Sequence, residues 1–471
     1  MRVCSALLAF WSVAAAAQAP VLEHRFTPDV PEPLAFFGFA LDLDGDRALV
    51  GAFDNRGLSD GGVAYVYERA GAEWSETARL VPADRASGDD VGFSVALDGD
   101  RALVGAINDD DDGQTSGSAT LFESDGAGWA EAATLTGAGA EAFGWSVALD
   151  GDRALVGAIE VAFQGGGAFV FERGPDGWAQ TALLLSDDFS DQRLGSAVAL
   201  DGDRLVVTSL SRTGGLPGRV HVFESDGTDW VRTQIIAAPS PQASSFGHAV
   251  ALDGDRLVVG AYGADGGAGA AYVYDALDGA WSLTDRLAAP GADGFGWSVA
   301  LRGSRAAVGA TGSDSAHLFA LEDGAWMETD RIEAGAPGGW YGSDVALGDG
   351  RLLVGASGEA VGPVDSGAAY AYALPAQVAA EAPLEAALAL TPAGPNPASS
   401  PSSAALTVQR PGPVRVTAYD ALGRAVAVLF QGSVAPGGGV QIPLPRLAPG
   451  AYVLRATGPA GDAALRVTVA R

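Results

Sequence analysis

The chain has no lysine among its 471 residues: all 28 basic residues are arginine. It also has one cysteine, four histidines and two methionines. The cysteine, Cys4, lies at the start of the chain, so the rest of the sequence has no thiol for a disulfide bond or nucleophilic catalysis. The histidines lack the spacing of a zinc-binding set, and no later cysteine can join them. These shortages exclude the commonest thiol and zinc chemistries.

Catalytic motifs are also missing. The sequence has no Gly-x-Ser-x-Gly elbow and no phosphate-binding glycine loop that leads into a helix. Carboxylates are plentiful, so a paired-carboxylate enzyme acting on polysaccharide stays open as an alternative. Many of the aspartates, however, sit in Asp-Gly turns, where turn geometry accounts for them. We therefore predict no catalytic residues, no required cofactor and a protein that is not an enzyme.

Long apolar runs are confined to the N-terminus. After residue 17 no run approaches the roughly 18 apolar residues of a membrane-spanning helix, so no membrane span is predicted. The N-terminus itself has Arg2, an apolar stretch over residues 3–13 and three alanines at 15–17. This order is typical of a secretory signal peptide, here residues 1–17, with cleavage before Gln18. The protein is therefore expected outside the cytoplasm.

Negative charge dominates most of the chain. The formal net charge is −30, although residues 388–471 carry seven arginines and two aspartates, a net +5. Removing this +5 and the +1 of Arg2 from −30 leaves −36 for residues 20–387. Such a field repels nucleic acid and attracts cations, so no nucleic-acid partner is expected. A solvated acidic surface suited to salty surroundings also accounts for it.

Glycine is abundant, at 66 residues, and it marks a repeat of about 50 residues. Each repeat has a strand of alternating bulky and small residues, then Asp-Gly-Asp or a similar turn, a second strand that usually ends in Gly-Ala, and two further strands. One glycine near the start of each repeat defines the register: Gly38, Gly92, Gly144, Gly195, Gly247, Gly296 and Gly342. Four short strands per period predict an all-β, seven-bladed β-propeller.

The last repeat lacks a fourth strand. Six repeats have a tryptophan that opens this strand, whereas the seventh ends after its third strand, near residue 373. Residues 22–29 resemble residues 77–84 of the first fourth strand: Arg25 matches Arg79, and Pro28 matches Pro82. We therefore predict that the N-terminal strand completes the seventh blade and closes the ring, which would otherwise expose strand edges.

The recurring Phe-Gly and Val-Gly-Ala segments resemble the FG-GAP family of β-propeller repeats over residues 18–375. In integrin α-subunits, such repeats carry an Asp-rich calcium loop between the first two strands. The tight Asp-Gly-Asp turns of this chain are too short for such a loop, so that metal site is not expected here. The sequence is more similar to the bacterial secreted subfamily, and the resemblance implies no particular activity.

Residues 376–393 are rich in Ala, Pro and Glu and are predicted to form a linker. Alternating segments follow, which predict a small immunoglobulin-like β-sandwich. Three motifs, at 395–397, 419–424 and 447–455, resemble the C-terminal sorting domain of type IX secretion, here residues 394–471. The resemblance implies interaction with the type IX machinery of a Gram-negative bacterium, and a location that is secreted or on the outer cell surface.

Candidate binding residues fall in the long, variable connections between strands two and three and between blades. These connections should share one face, which we call the loop face, while the short hairpins occupy the opposite, hairpin face. The acidic run Asp109, Asp110, Asp111 and Asp112 is expected there with Asp54, Asp60, Asp89 and Asp90. The run is interpreted either as a Ca²⁺ site or as a solvated acidic loop.

Aromatic residues directly after the repeat glycine, among them Trp145, His248 and Trp297, are either blade-packing residues or a ligand platform on the loop face. The leading hypothesis is a secreted or cell-surface binding or adhesion protein that recognises a protein or glycan. The alternatives are a secreted polysaccharide hydrolase or lyase and a structural surface-layer component.

Overall fold

The computed structural model describes most of the chain, in two compact units, residues 1–376 and 377–471. In the first unit it describes residues 19–28, 35–53, 61–113, 115–161, 165–186, 192–211, 216–277, 279–335, 337–362 and 364–375. In the second it describes residues 388–392, 403–408, 412–420, 425–434, 438–443, 450–458 and 461–469. The predicted signal peptide, residues 1–17, lies outside the described residues. No helix in the described part is long and apolar enough to cross a membrane.

The first unit is the predicted seven-bladed β-propeller, built from seven four-stranded antiparallel sheets. The strands of blade 1, in order, are Leu41–Asp44, Arg47–Ala52, Val63–Ala70 and Glu73–Leu80. Those of blade 2 are Val91–Asp98, Arg101–Ala106, Ser118–Ser124 and Trp129–Leu135. Those of blade 3 are Ala140–Asp150, Arg153–Val161, Gly167–Gly174 and Gly177–Leu185. Those of blade 4 are Val198–Asp201, Arg204–Ser209, Arg219–Ser225 and Trp230–Ala237. Those of blade 5 are Val250–Asp253, Arg256–Ala261, Ala270–Leu277 and Ala280–Leu287. Those of blade 6 are Phe295–Arg302, Arg305–Ala310, Ser315–Glu322 and Ala325–Glu333.

Blade 7 is the composite blade that the sequence predicts. Its first three strands are Tyr341–Gly348, Arg351–Ala356 and Ala368–Ala373, and the N-terminal strand Val21–Phe26 is its fourth. This N-terminal strand runs antiparallel to the third one, with Val21 opposite Ala373 and Phe26 opposite Ala369. The predicted closure of the ring by the N-terminus is therefore present in the structure.

The first strand of each blade is innermost, and the first strands of neighbouring blades contact one another. Seven hydrophobic clusters fill the seven interfaces between blades. The tryptophans that open the fourth strands contribute to these clusters, and Trp74, Trp281 and Trp326 are buried. Blade packing thus accounts for the repeating tryptophan.

The two glycine motifs of the repeat meet across each of several blade interfaces. A Cβ added to Gly105, in the Val-Gly-Ala of blade 2, would lie 2.3 Å from the carbonyl oxygen of Gly144 in blade 3. Gly144 itself has φ +86°, and its added Cβ would lie 2.3 Å from the carbonyl oxygen of Ser118. Neighbouring backbones therefore approach so closely that neither position has room for a side chain.

On the hairpin face, arginines link each blade to the next. In blade 3, Arg153 bonds Glu172 of its own blade, while its Nη1 bonds the Gly202 carbonyl and Asp203 of blade 4. Its guanidinium also lies 5.5 Å from the ring centre of Trp230. A planar, five-donor guanidinium can make all these contacts at once, whereas an ammonium cannot. This explains why lysine is absent from these positions: Arg47, Arg101, Arg153, Arg204 and Arg351.

Three short elements lie in connections of the loop face. They are the 3₁₀ turns Ala264–Gly267 and Thr311–Ser313, and a small hairpin of Ala360–Val361 with Val364–Asp365.

The second unit contains two antiparallel sheets, as a small immunoglobulin-like sandwich requires. One sheet has the order Leu388–Pro392, Ser403–Val408, Gly438–Pro443, and the other has the order Ala425–Val434, Gly412–Asp420, Gly450–Gly458, Gly461–Val469. The predicted linker, residues 376–393, extends too far, because Leu388–Pro392 is already a strand paired with Ser403–Val408. Its short Leu-Ala-Leu alternation was hidden by the Ala-rich composition around it.

Candidate functional site

Strand direction separates the propeller into two chemically different faces. Because the strands of a blade are antiparallel and consecutive, the short hairpins lie on one face and the long connections on the other. The hairpin face is occupied by the arginine and aspartate contacts that join the blades. Nine aromatic rings collect instead at the loop face, at the ends of inner strands. The loop face is therefore the part of the fold on which a ligand site is expected.

The larger group of rings, here called the first aromatic cluster, spans blades 7, 1, 2 and 3. It consists of Trp340, Phe36, Phe53, Phe39, Phe93 and Trp145. Consecutive ring centres are 4.7 to 6.0 Å apart. Trp340, Phe36 and Phe53 form a nearly parallel column, with interplanar angles of 9° and 11°. The cluster crosses three blade interfaces and so forms one continuous apolar arc.

The smaller group, the second aromatic cluster, joins blades 5 and 6. His248, Tyr262 and Trp297 contact one another with ring centres 4.6 to 4.8 Å apart. Burial lowers the pKa of His248 to about 4, so its imidazole is neutral at physiological pH. Each ring keeps partial solvent exposure. The second cluster is thus a compact, uncharged group rather than a cationic one.

Serine takes the place of the aromatic residue in blades 4 and 7. Ser196 and Ser343 follow the repeat glycine there, and both are buried. Ser196 donates to the Arg193 carbonyl, and Ser343 donates to the Gly38 carbonyl. The apolar surface of the loop face is therefore interrupted in blade 4.

Backbone strain accompanies the first aromatic cluster. In every blade, the residue two before the repeat glycine has positive φ, and blade 6 uses Gly294 there, with φ +69°. Phe36 and Trp340 occupy the same position with φ of +42° and +52°. A bulky residue in this region is a genuine outlier that costs on the order of 1–3 kcal/mol. The protein tolerates this cost in two adjacent blades.

Of the sequence-predicted candidates, the structure places Trp145 in the first cluster and His248 and Trp297 in the second. They lie on the same face but do not form one group. Sequence reasoning missed Phe36, Phe53, Tyr262 and Trp340. The signal for two of them was present, since Phe53 and Tyr262 directly follow the Gly-Ala that ends a second strand.

Two carboxylates lie at the centre of the ring, on the innermost strands of blades 1 and 7. Asp344 accepts hydrogen bonds from the Leu41 and Val345 amides, at 2.7 and 2.9 Å. Asp42 accepts from the Leu97 and Leu43 amides, both at 2.7 Å. Burial raises the pKa of Asp42 to about 6 and that of Asp344 to about 7, although both side chains keep partial exposure to the narrow centre. Each carboxylate thus links neighbouring inner strands at an electrostatic cost.

This cost predicts a pH dependence of stability. Both folded pKa values lie above the unfolded value of about 3.8, so the folded state binds more protons between pH 4 and 7, and stability falls as pH rises through that window. Converting both residues to Asn (Asp42→Asn with Asp344→Asn) should remove a decrease on the order of 2–4 kcal/mol between pH 5 and pH 8. Urea unfolding of both proteins at both pH values measures it.

The quantity to compare is the change in the free energy of unfolding between pH 5 and pH 8, measured in the wild type and in the double variant. The double variant is needed as a reference because the histidines change the stability in the opposite direction. Their lowered pKa values add stability as pH rises toward 6.5, equally in both proteins. An identical pH dependence in the wild type and the double variant would contradict the assignment.

The acidic run lies beside a pocket of about 310 Å³ whose lining includes Asp84, Asp109, Asp111 and Asp112. Repulsion from Asp109 is the largest cause that raises the pKa of Asp111, with further contributions from desolvation and from other carboxylates. Asp109 also caps the Asp111 amide, at 3.1 Å. In the described part of the chain, no group of three or more His, Cys, Asp or Glu is arranged to hold a metal ion.

The predicted neighbours of this run are only partly as expected. Asp54 and Asp60 lie outside the described residues. Asp89 and Asp90 are 6% and 5% exposed, rather than solvated. Asp89 accepts from the Ala86 amide and Asp90 from the Asn108 side chain, so turn formation has buried both carboxylates.

Repulsion in the acidic run predicts stabilisation by salt. NaCl should raise the melting temperature by a few degrees, and Ca²⁺ at matched ionic strength should add little, because screening does not depend on the cation. The double substitution Asp109→Asn and Asp111→Asn should weaken the salt dependence slightly. Differential scanning calorimetry in NaCl and CaCl₂ measures both. A large Ca²⁺ increment that disappears in the double variant would instead establish a metal site.

A serine–histidine–glutamate chain occurs in blade 6. Ser315 Oγ lies 3.1 Å from His317 Nε2, and His317 Nδ1 lies 2.7 Å from Glu328 Oε1. These are the contacts of a catalytic triad. Ser315 and His317, however, are both 0% exposed, so no substrate atom can approach the hydroxyl. Burial also lowers the pKa of His317, partly opposed by Glu328, and the chain acts as an internal hydrogen-bond network.

Comparison with known proteins supports the repeat assignment. Residues 74–122, 129–171 and 230–274 match the family model described as FG-GAP repeat. These segments contain strands of blades 1 to 5, so FG-GAP repeats build this part of the propeller. No curated protein matches the sequence.

Comparison with solved structures gives several matches at low sequence identity. PorZ, an essential surface component of the type IX secretion system of Porphyromonas gingivalis, has 15% identity and a TM-score of 0.46, over 95% of this chain and 61% of that one. This chain therefore spans about three fifths of that protein's length. A Lactobacillus plantarum protein has 16% identity and a TM-score of 0.46, over 69% and 99% of the two chains. The periplasmic gluconolactonase of Pseudomonas aeruginosa has 17% identity and a TM-score of 0.46, over 63% and 86%.

Proposed function

We propose that this protein is a secreted or cell-surface binding protein whose propeller recognises an extracellular protein or glycan on its loop face. The observation that carries the proposal is the segregation of the nine rings of the two aromatic clusters to that face. The hairpin face, by contrast, uses its arginines and aspartates to join blades. Partly exposed aromatic surface on a rigid scaffold is typical of recognition sites.

The chemistry of the described residues favours binding over catalysis. The Ser315–His317–Glu328 chain is closed to substrate. Burial raises the pKa values of Asp42 and Asp344, but their carboxylates are engaged with backbone amides of the inner strands. A protein and glycan array probed with residues 19–375 tests the proposal. We expect a specific ligand. Turnover of a polysaccharide, abolished by a single carboxylate substitution, would establish the hydrolase or lyase alternative instead.

We also propose that residues 394–471 direct export by type IX secretion. The three sequence motifs support this, together with the separate compact unit that contains them. The motif at 395–397 lies outside the described residues, as do parts of the other two. The propeller has its own core, so it should fold without this unit.

Removing residues 388–471 therefore should leave a folded propeller in the periplasm. Cell fractionation, with limited proteolysis to verify folding, measures the outcome. Delivery of the truncated protein to the cell surface at the wild-type level would contradict the export proposal.

A further inference from the structure

The starting observation is the strained position shared by blades 7 and 1. Five blades place Asp90, Ala142, Arg193, Ser245 or Gly294 at this left-handed position, all smaller or more flexible than an aromatic ring. Blades 7 and 1 place Trp340 and Phe36 there, and the two rings stack with centres 6.0 Å apart. The fold does not need a ring at this position, since most blades lack one. A ring retained against backbone preference points to a functional role.

We propose that Trp340, supported by Phe36 in the column beneath it, is a stacking platform for a sugar unit of a neutral polysaccharide. This inference rests on the proposed loop-face binding function and names its ligand class. Trp340 is 51% exposed, the most exposed of the large aromatic side chains in the described part of the chain. Phe36 continues the apolar surface inward to Phe53, at 5.0 Å. The C–H faces of a pyranose ring pack on such surfaces.

Two carboxylates beside Trp340 supply the polar part of the platform. Asp314 accepts hydrogen bonds from the Gly338 and Tyr341 amides, at 2.6 and 3.1 Å, and so fixes the backbone on both sides of Trp340. Glu359 adjoins the same segment, since its Cβ is 3.2 Å from a Cβ added to Gly339. Carboxylate oxygens still have lone pairs that can accept sugar hydroxyl groups.

Glu359 is held in place by two donors. Arg25 Nη2 donates at 2.6 Å, and the Tyr370 hydroxyl donates at 2.7 Å to the other carboxylate oxygen. The side chain is 22% exposed, so it is fixed in position yet open to solvent. A preorganised acceptor loses little freedom when a hydroxyl group binds.

Charge selects a neutral glycan over an anionic one. Residues 20–387 carry a formal charge of −36, and the two acidic side chains beside the platform, Asp314 and Glu359, outnumber the one arginine described there, Arg25. A uronate or sulfated chain would meet like charges at close range, which is strongly unfavourable. Hydroxyl groups of an uncharged chain instead donate to the same oxygens. The platform therefore matches the hydroxyl and C–H pattern of an uncharged polysaccharide.

Affinity electrophoresis of the full chain tests the inference. The gels contain hydroxyethyl cellulose, xylan, mannan or soluble starch, with alginate and polygalacturonate as anionic comparisons. We expect at least one neutral polymer, and neither anionic one, to retard the wild type. Trp340→Gly should weaken this retardation at least about tenfold, as the loss of an aromatic anchor does. Met327→Ala, at a 55% exposed residue on the outer strand of blade 6, should have no effect.

Thermal stability distinguishes a ligand platform from a structural ring. Glycine suits the positive φ of position 340, so Trp340→Gly should leave the melting temperature unchanged or raise it. A clear drop in melting temperature would show that the ring is needed for folding and would overturn the inference. Retardation by no neutral polymer, or equal retardation of the wild type and Trp340→Gly, would also overturn it. A protein ligand on the array would then leave the proposed binding function intact.

Discussion

Deletion of residues 20–30 is expected to destabilise the whole propeller, because it removes the fourth strand of blade 7. The deleted segment pairs along the third strand of that blade, from Val21 opposite Ala373 to Phe26 opposite Ala369. Phe26 is 1% exposed, and its ring packs against Tyr67 and Trp74 of blade 1, at 4.6 and 5.4 Å. The strand therefore contributes to the interface between the last blade and the first.

Glu23 adds an ionic link at the same interface. Its two oxygens bond Arg69 of blade 1 at 2.9 Å and Arg351 of blade 7 at 3.1 Å. The Glu23 side chain is 13% exposed, and those of the two arginines are 18% and 17% exposed. Removing the carboxylate would leave the two largely buried guanidinium groups with Asp46, whose side chain is 63% exposed, as a shared ionic partner. The loss of the two charged hydrogen bonds to Glu23 should therefore cost on the order of 2–3 kcal/mol.

Urea unfolding of the deletion, Glu23→Ala and Phe26→Ala measures these contributions. Phe26→Ala should cost about 3–5 kcal/mol, as the loss of a buried ring does. The deletion should exceed both single substitutions. Val21→Ala is the matched control on the same strand: Val21 is 62% exposed, so the change should stay within about 0.5 kcal/mol. If the variant that lacks residues 20–30 unfolded at the same midpoint urea concentration as the wild type, closure of the ring by this strand would be contradicted.

Gly144→Ala is the single substitution expected to have the largest effect on the repeat itself. The new Cβ would lie 2.3 Å from the carbonyl oxygen of Ser118, and Gly144 has φ +86°. Backbone on the neighbouring blade cannot move aside without opening the interface. We expect a loss of more than about 4 kcal/mol or failure to fold, from the combined clash and strain.

Gly151→Ala is the control. Gly151 also has positive φ, +56°, but an added Cβ would meet nothing within 4 Å. The substitution should cost about 1–2 kcal/mol from the left-handed backbone alone. Circular dichroism and thermal unfolding of both variants measure the difference. Equal losses in the two variants would show that backbone conformation, rather than contact between blades, explains the repeat glycine.

The architecture could be predicted because the sequence pattern that defines a blade recurs seven times. The spacing of the repeat glycines, the Asp-Gly turns and the missing tryptophan of the seventh repeat together predict the blades and their closure. The strand Leu388–Pro392 was missed because five residues in an Ala- and Pro-rich context give too little alternation.

The candidate site was harder to predict than the fold. Whether Trp145 meets Phe93 or Trp297 depends on the distances between blades, which one repeat does not encode. Trp340 gave no sequence signal, because the feature that distinguishes it, a bulky ring at a positive φ of +52°, is visible only in the structure. Asp42 and Asp344 looked like ordinary strand residues until the structure placed them on the inner strands of adjoining blades.

The central claim is that the loop face binds the ligand, and face-selective blocking tests it most directly. Residues 19–375 contain no cysteine, so Asp111→Cys on the loop face and Asp176→Cys in a hairpin of the opposite face each introduce a single thiol. Both residues are exposed, and each variant is coupled to a polyethylene glycol maleimide and applied to the protein and glycan array. The account predicts that coupling at position 111 abolishes binding and that coupling at position 176 leaves it unchanged. Loss of binding with position 176 blocked, and retention with position 111 blocked, would contradict it.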